Sequence, residues 1–356
     1  MQNFWSLDRN YYEYRYMPPP GLRLALQLSA GCVIVAACAK LRGQRLLPSL
    51  RLQVTRACTS ATASSSALEG RLYRYRTRPS SLQAFESGPA DTRKFCCYVG
   101  GLTDGLLACS YVEALAEECA ARGWALVQPI MSSSYAGYGT GSLDRDVEEL
   151  AQLARYLQTE RGATAIVLAG HSTGTQDAVH FMSAAPEDVR SLVRAIVLQA
   201  PVSDRESATL EGDAAERAAK LKRAEALVAE GKGDTLIDLQ YGFVPLTAAR
   251  YASLNGRGGL DDMFSSDLSD AELAGRLRHL ATPGLRTLFV HSLADEYVPP
   301  SVDAEALARR FVTAAGGPAF ASSLLLPGAK HNLASPDGEA ASEFVRAVGV
   351  LLSEVA

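Results

Sequence analysis

Short apolar runs alternate along the chain with longer stretches whose apolar residues recur at helical spacing, starting near residue 70. The short runs are rich in branched and aromatic residues and are bounded by turn formers, which is typical of strands. The longer stretches each present one apolar face and predict helices. The pattern predicts an early antiparallel strand at 72–75, strands at 95–99, 124–129, 164–169, 194–199, 285–291 and 321–326, and helices at 109–122, 143–159, 174–184, 301–313 and 338–354.

The order of these elements predicts the fold class. Strands separated by helices form parallel sheets covered on both faces, and right-handed crossovers bring the carboxyl ends of the strands to one rim. Residues 203–280 break the alternation and contain a charged, helix-like stretch at 213–230. We therefore expect an α/β domain over residues 70–356, with a mostly parallel, doubly covered sheet. The helical insertion at 203–280 is interpreted as a cap over the rim rather than a surface elaboration.

A sharp turn is predicted between the strand at 164–169 and the helix at 174–184. Its sequence is Gly170-His171-Ser172-Thr173-Gly174. A Gly-x-Ser-x-Gly between strand and helix is the nucleophile elbow of α/β-hydrolases. Such a turn holds the serine in a strained backbone conformation, and small neighbours let the strand and helix pack closely around it. The pattern makes Ser172 the candidate nucleophile.

A serine hydroxyl is a weak nucleophile until a base takes its proton, and an acid must orient that base. In this fold class the acid and then the histidine follow the serine along the chain. Of the five histidines, only His331 follows all the other elements, in a loop after the strand at 321–326. We therefore predict that His331 is the general base.

Two aspartates compete for the role of the acid. Asp295 lies where the strand at 285–291 runs out into a polar loop, and Asp204 follows the preceding strand at 194–199. Some hydrolases place the acid after that earlier strand. We favour Asp295 because the segment around it carries the fuller pattern, although Glu296 beside it is easily mistaken for it.

The oxyanion of the tetrahedral intermediate needs two preorganised donors. One is expected to be the backbone N–H of Thr173, the residue after the nucleophile. The other should come from the loop after an earlier strand, where Gly100-Gly101 follows the strand at 95–99. Glycines there let the backbone approach a substrate closely. We assign this second donor to the N–H of Leu102.

Four segments resemble the fungal and plant α/β-hydrolases that include the fusarinine C esterase. The Ser-Thr-Gly-Thr-Gln-Asp string that begins at Ser172 is much more specific than Gly-x-Ser-x-Gly alone. The resemblance covers roughly residues 70–356 and implies a serine esterase fold with Ser172, Asp295 and His331 as the catalytic triad. The segments that carry it are 100–107, 132–140, 170–177 and 261–268.

Three functional classes are compatible with these residues. The first is a serine hydrolase that cleaves carboxylic esters or thioesters of a small molecule through an acyl-enzyme on Ser172. The second is an acyltransferase or lipase-like enzyme with the same triad, and the third is a catalytically silent binding protein. The third class usually lacks a triad member, whereas this chain has a candidate for each. The sequence has neither Cys-x-x-Cys nor His-x-x-x-His, so it predicts no metal and no cofactor.

Charge is unevenly distributed over the 356 residues. The formal net charge is −4, but residues 1–68 hold eight Lys or Arg and two Asp or Glu, whereas the remainder holds 27 basic and 37 acidic residues. An acidic α/β domain argues against binding to nucleic acid, which requires a basic face.

The first 69 residues have a different composition from the rest. From residue 14 to 68 they contain seven basic and no acidic residues, with a Ser-rich end, which is typical of an organelle transit peptide. Within them, residues 24–39 carry no charge, but this run is shorter than the about 20 apolar residues of a membrane helix. We favour a transit peptide for a plastid or mitochondrion, then a membrane anchor through residues 24–39, then a disordered tail.

A chain that starts near residue 68 is predicted to fold cooperatively and keep full esterase activity, since every candidate site residue lies at or after Leu102. Thermal unfolding and ester turnover of the truncated chain measure this. A fluorescent fusion of residues 1–70 should enter a plastid or mitochondrion, whereas an anchor would leave the full-length protein in the membrane pellet after a high-salt wash. Loss of folding on truncation would contradict both interpretations.

Overall fold

The computed structural model of the protein describes residues 67–210 and 212–356. The predicted transit peptide and the alternative anchor at 24–39 lie outside the described residues. None of the helices in the described part of the chain is long and apolar enough to cross a membrane.

Between residues 67 and 356, ten strands form two sheets. The large sheet has eight strands in the order β1-β2-β4-β3-β5-β6-β9-β10, and β7 and β8 form a separate hairpin. The bounds are β1 Arg71–Arg76, β2 Leu82–Ser87, β3 Lys94–Val99, β4 Ala125–Ile130, β5 Ala165–His171, β6 Val193–Gln199, β7 Leu236–Gln240, β8 Val244–Thr247, β9 Arg286–Ser292 and β10 Ala321–Leu326.

Ten α-helices connect and cover these strands in the described residues. Three short 3-10 helices, Tyr135–Thr140, Ala208–Leu210 and Arg278–Leu280, lie between them. The α-helices are α1 Val112–Ala121, α2 Leu143–Glu160, α3 Gly174–Ala184, α4 Glu187–Arg190, α5 Asp204–Ser207, α6 Ala214–Ala229, α7 Ala248–Asn255, α8 Asp270–Leu277, α9 Ala304–Ala314 and α10 Glu339–Glu354.

The large sheet is mostly parallel, as the sequence predicted. Strands β4, β3, β5, β6, β9 and β10 run parallel to one another, and β2 pairs in the antiparallel sense with β1 on one side and with β4 on the other. Successive side chains of β5 enter different cores: Ile166 and Leu168 pack on one face of the sheet, and Val167 and Ala169 on the other. Because both faces of the sheet are covered by helices, β5 is apolar from residue 165 to 169 rather than alternating between apolar and polar.

Some elements differ from the sequence-based expectation. Strand β2 and the hairpin β7–β8 were not predicted, and α1 begins at Val112 rather than at residue 109. Strand β2 is half polar, with buried Leu82, Ala84 and Glu86 along one face. The polar residues of β2 hide the apolar pattern from which a strand is predicted. Glu86 is buried because it forms an ion pair with Arg161, 2.9 Å away.

The insertion between β6 and β9 contains α5 to α8 together with the hairpin β7–β8. An aromatic cluster holds the segment of the insertion around Phe264 against the main core. The Phe311 ring of α9 lies 5.4 Å from the ring of Phe264 in the insertion and 5.7 Å from that of Phe289 on β9. All three rings are fully buried. Large aromatic residues contribute strongly to core energetics, so this contact holds the insertion to the sheet.

Phe311→Ala should lower the free energy of unfolding by about 3–5 kcal/mol, because it empties a fully buried site. Phe243→Ala is the matched control, since the Phe243 ring is 65% exposed. That control should change stability by less than about 0.5 kcal/mol. Urea denaturation measures both, and equal effects of the two substitutions would contradict the packing role.

Candidate active site

Ser172 occupies the turn between β5 and α3. Its backbone is left-handed, with a φ of +53°, which is uncommon for a residue with a side chain. Its N–H donates a hydrogen bond to the carbonyl oxygen of Gln199 on β6 at 3.0 Å. Its neighbours His171 and Thr173 are buried, whereas Ser172 is partly exposed. The sheet therefore holds the strained backbone and presents the hydroxyl at its rim.

Two glycines make this turn sterically feasible. A Cβ at Gly170 would lie 2.2 Å from the carbonyl oxygen of Gly174, and a Cβ at Gly174 would lie 2.1 Å from the carbonyl oxygen of Val99. Both separations are far below contact distance. The elbow therefore packs directly against the carboxyl end of β3. A side chain at Gly174 would push the elbow away from β3, and one at Gly170 would distort the turn itself.

His331 and Asp295, 36 residues apart in sequence, meet in the structure. The Nδ1 of His331 lies 2.8 Å from Oδ2 of Asp295, and both residues are buried. The other oxygen of Asp295, Oδ1, accepts a hydrogen bond from the backbone N–H of Tyr297 at 2.9 Å. Glu296, the neighbour that sequence alone confuses with the acid, accepts the backbone N–H of His331 through Oε2 at 3.0 Å.

Gln199, at the end of β6, connects the His331 loop to the elbow. Its Nε2 donates to the backbone carbonyl oxygen of His331 at 2.9 Å. Its Oε1 accepts from the Tyr111 hydroxyl at 3.0 Å and is also hydrogen bonded to Nδ1 of His171 in the elbow. The His171 ring lies 5.0 Å from the His331 ring. Sequence analysis missed Gln199, although a polar residue that closes an otherwise apolar strand was a usable signal.

The loop after β3 brings the second predicted donor close to the serine. A Cβ at Gly101 would lie 2.6 Å from Cβ of Ser172, so the loop backbone lies against the nucleophile candidate. Asp104 holds the loop, because its Oδ2 accepts the N–H of Gly101 at 2.7 Å. Within residues 67–210 and 212–356, the N–H groups of Leu102 and Thr173 donate to no other protein group. Both residues line one cavity.

Asp204, the rival acid, lies in a different environment. It begins α5, and its Oδ2 accepts a hydrogen bond from Nε2 of Gln176 at 2.9 Å. Burial, with a smaller effect from the nearby charge of Asp261, raises the pKa of Asp204 to about 7. In the described structure the hydrogen-bonded carboxylate partner of the His331 ring is Asp295.

The cavity beside Leu102 and Thr173 contains about 470 Å³ of atom-free space, part of it open to solvent. Asp146 of α2, Asp177 of α3 and Arg250 of α7 also line it. No local sequence pattern assigns a role to these three residues. Charged residues on helices normally indicate solvated faces, so their burial left no signal in the periodicity.

Arg250 is buried by pairing with an acidic partner. Its Nη1 lies 2.9 Å from each carboxylate oxygen of Asp261, and both residues are almost fully buried. Burial raises the pKa of Asp146 to about 6, against the lowering effects of a hydrogen bond from Ser133 and the charge of Arg250. Burial, together with the charge of Asp146, also raises the pKa of Asp177 well above its usual range.

The mostly parallel sheet, with a serine elbow after β5 and an Asp–His pair after the following strands, defines an α/β-hydrolase. The chain belongs to the family described as "Protein of unknown function (DUF1749)", whose model matches residues 60–353.

Two curated relatives and one solved structure illustrate the likeness. The chain is 32% identical to fusarinine C esterase of Aspergillus fumigatus, over 76% of this chain and 91% of that protein. It is 31% identical to an esterase of Emericella nidulans, over 80% of this chain and 92% of that protein. The siderophore hydrolase EstB of Aspergillus fumigatus has a TM-score of 0.66 and 30% identity, over 82% of this chain and 99% of the EstB chain. The chain is thus a hydrolase of the esterase class.

Proposed function

We propose that the chain cleaves carboxylic esters through an acyl-enzyme formed on Ser172. The observation that carries this proposal is the placement of a strained, partly exposed serine on an elbow that Gln199 connects to the buried Asp295–His331 pair. Nucleophile, base and orienting acid are then all supplied by loops at one rim of the sheet.

In the acylation step, Oγ of Ser172 attacks the ester carbonyl carbon while Nε2 of His331 takes the hydroxyl proton. Asp295 fixes the imidazole in the tautomer with hydrogen on Nδ1 and stabilises the imidazolium that forms. The N–H groups of Leu102 and Thr173 donate to the carbonyl oxygen as it becomes negative, which is worth about 3–4 kcal/mol for each such donor. The carbon–oxygen bond then breaks, and the departing alcohol takes the proton from His331.

In the deacylation step, His331 accepts a proton from a water molecule as that water attacks the acyl carbonyl carbon. The same two N–H groups stabilise the second tetrahedral intermediate, and Ser172 leaves with the proton returned by His331. A thioester would form the same acyl-enzyme with a thiol as the leaving group, so thioesters belong in the substrate panel. An acyltransferase would differ only in replacing the water by another acceptor.

The insertion between β6 and β9 serves as a cap in this proposal. Arg250 of α7 lines the same cavity as Leu102 and Thr173. The Tyr138 hydroxyl, which also faces this cavity, donates to Oε1 of Gln240 on β7 at 3.0 Å. The insertion therefore forms one wall of the substrate pocket, where it would restrict access of water and select the substrate. Fusarinine C and other siderophores, which the names of the relatives mention, are the natural first substrates to test.

Ser172→Ala should lower ester turnover by about 10⁴-fold or more and abolish labelling by a fluorophosphonate probe, since no other group takes over the nucleophile's role. A panel of fluorogenic esters and thioesters of varied acyl length provides the turnover measurement. Ser183→Ala, on the exposed face of the same helix α3, is the control and should retain both signals. Wild-type labelling of Ser172→Ala would overturn the proposal.

Asp295→Asn should lower kcat by about 10³- to 10⁴-fold, because an amide no longer holds the His331 tautomer or stabilises its positive form. Asp204→Asn, whose carboxyl hydrogen bonds to Gln176, should have a much smaller effect. Steady-state kinetics of both variants on one ester measure the difference. If Asp204→Asn lowered kcat more than Asp295→Asn did, the catalytic acid would be Asp204, after β6.

A further inference from the structure

The four segments that carry the family resemblance meet at the cavity beside the candidate oxyanion donors. Segments 100–107, 132–140 and 170–177 contribute lining residues directly, and segment 261–268 contributes Asp261, the partner of the lining residue Arg250. The proposed mechanism uses only Leu102 and Thr173 from this cavity. The lining residues Asp146, Asp177 and Arg250 therefore have no role in the proposed cleavage of the ester bond itself.

Two carboxyl groups in this cavity lack part of their hydrogen bonding. Asp146 and Asp177 both line it, and their residues are only 2% and 5% exposed. Oδ1 of each has no hydrogen-bond partner among the described residues. Buried polar atoms in native proteins almost always have a partner. Nε of Arg250 and the Nε and Nη2 atoms of Arg145 are also buried without a hydrogen bond, so these donors do not reach the two acceptors, which stay open to donors from a ligand.

The charges around the cavity indicate what kind of donor is missing. Four carboxyl groups interact with the guanidinium of Arg250, those of Asp146, Asp177, Asp204 and Asp261, and the charge of Arg145 also acts on Asp146. Nη1 of Arg250 pairs with both carboxylate oxygens of Asp261, so the four carboxyl groups share two guanidinium groups, those of Arg250 and Arg145. Burying unpaired carboxylates is unfavourable, so the pKa values of Asp146 and Asp177 are raised and protons partly neutralise these groups in the free protein. A cationic ligand takes the place of those protons. A ligand that supplies both donors and a positive charge compensates this arrangement better than a neutral one.

We propose that Asp146 and Asp177 form a subsite that binds a primary ammonium group of the ester substrate, beside the oxyanion donors Leu102 and Thr173. This inference rests on the proposed function, since it describes a recognition element of the same pocket. An ammonium has three donors and no acceptor, which matches two acceptor carboxylates. No set of three or more side chains arranged to hold a metal ion occurs in the described part of the chain, which favours an organic cation.

The test compares two esters of one fluorogenic phenol, the ω-aminohexanoate and the heptanoate, which differ only in an ammonium against a methyl group. The wild-type protein should prefer the amino ester in kcat/KM. In Asp177→Asn and in Asp146→Asn the ratio of the kcat/KM of the amino ester to that of the heptanoate should fall by at least about tenfold. The reason is that an amide does not carry the negative charge that binds the ammonium group. Using the ratio cancels any general loss of activity.

Asp144→Asn is the matched control. Asp144 lies two residues before Asp146 on the same helix, but its side chain is 76% exposed and pairs with His180. Its ratio should equal that of the wild-type protein. Equal ratios in all four proteins would overturn the subsite. Loss of heptanoate turnover in Ser172→Ala tests the proposed function separately, so the two failures are distinguishable.

A binding measurement covers the case in which neither ester is turned over or a variant folds poorly. n-Butylammonium chloride should raise the Tm of the wild-type protein and of Asp144→Asn, since a ligand that binds only the folded state stabilises it. Asp177→Asn or Asp146→Asn, whichever folds, should lose this shift, and sodium chloride or 1-butanol at equal concentration should not produce it. Absence of the shift in the wild-type protein would overturn the subsite.

Discussion

The close approach of the elbow to the end of β3 is the constraint on which the candidate site depends. Gly174 lies so near the carbonyl of Val99 that no side chain fits between them, and this contact allows Ser172 to keep its left-handed backbone. The same approach places the loop of Gly101 against the serine. A strained residue persists only where the surrounding structure over-determines it, and here two neighbouring parallel strands do so. Because parallel strands end at one rim, the donors and the nucleophile arrive together.

The Asp295–His331 pair is located by a different device, a buried side-chain network. Gln199 uses both ends of its amide, donating to the backbone of His331 and accepting from Tyr111 and His171. The loop after β10 is thereby fixed relative to the loop after β5 by hydrogen bonds. Within a buried environment such bonds are strong, and each lost partner would leave an unsatisfied group. The geometry of the rim is therefore set by β6, the strand that lies between the elbow and the acid.

The insertion between β6 and β9 combines two kinds of anchoring. Phe264 packs into the aromatic cluster of the main core, which stabilises through burial of apolar area. Arg250 and Asp261 instead form a buried ion pair at the cavity, and a pair of this kind contributes little net stability because both charges are desolvated. The position of this ion pair beside Asp146 and Asp177 therefore favours a role in the pocket over a role in folding. Apolar packing holds the insertion on the sheet, and its charged residue Arg250 lines the cavity beside the candidate site.

The sequence by itself determined the fold class and the elbow, because both depend on local patterns: apolar periodicity for the sheet, and Gly-x-Ser-x-Gly for the turn. Chain order was enough to nominate His331, since loops after parallel strands converge, whereas Asp295 was favoured over Asp204 because the segment around it carries the fuller pattern. Only the tertiary structure decided which polar side chains are buried. Gln199, Asp146 and Arg250 carry no periodic signal, and a charge on a helix is typical of a solvated face. Gln199, for example, is buried because it pairs with His331, which is distant in sequence, and pairing of that kind is decided by the tertiary structure.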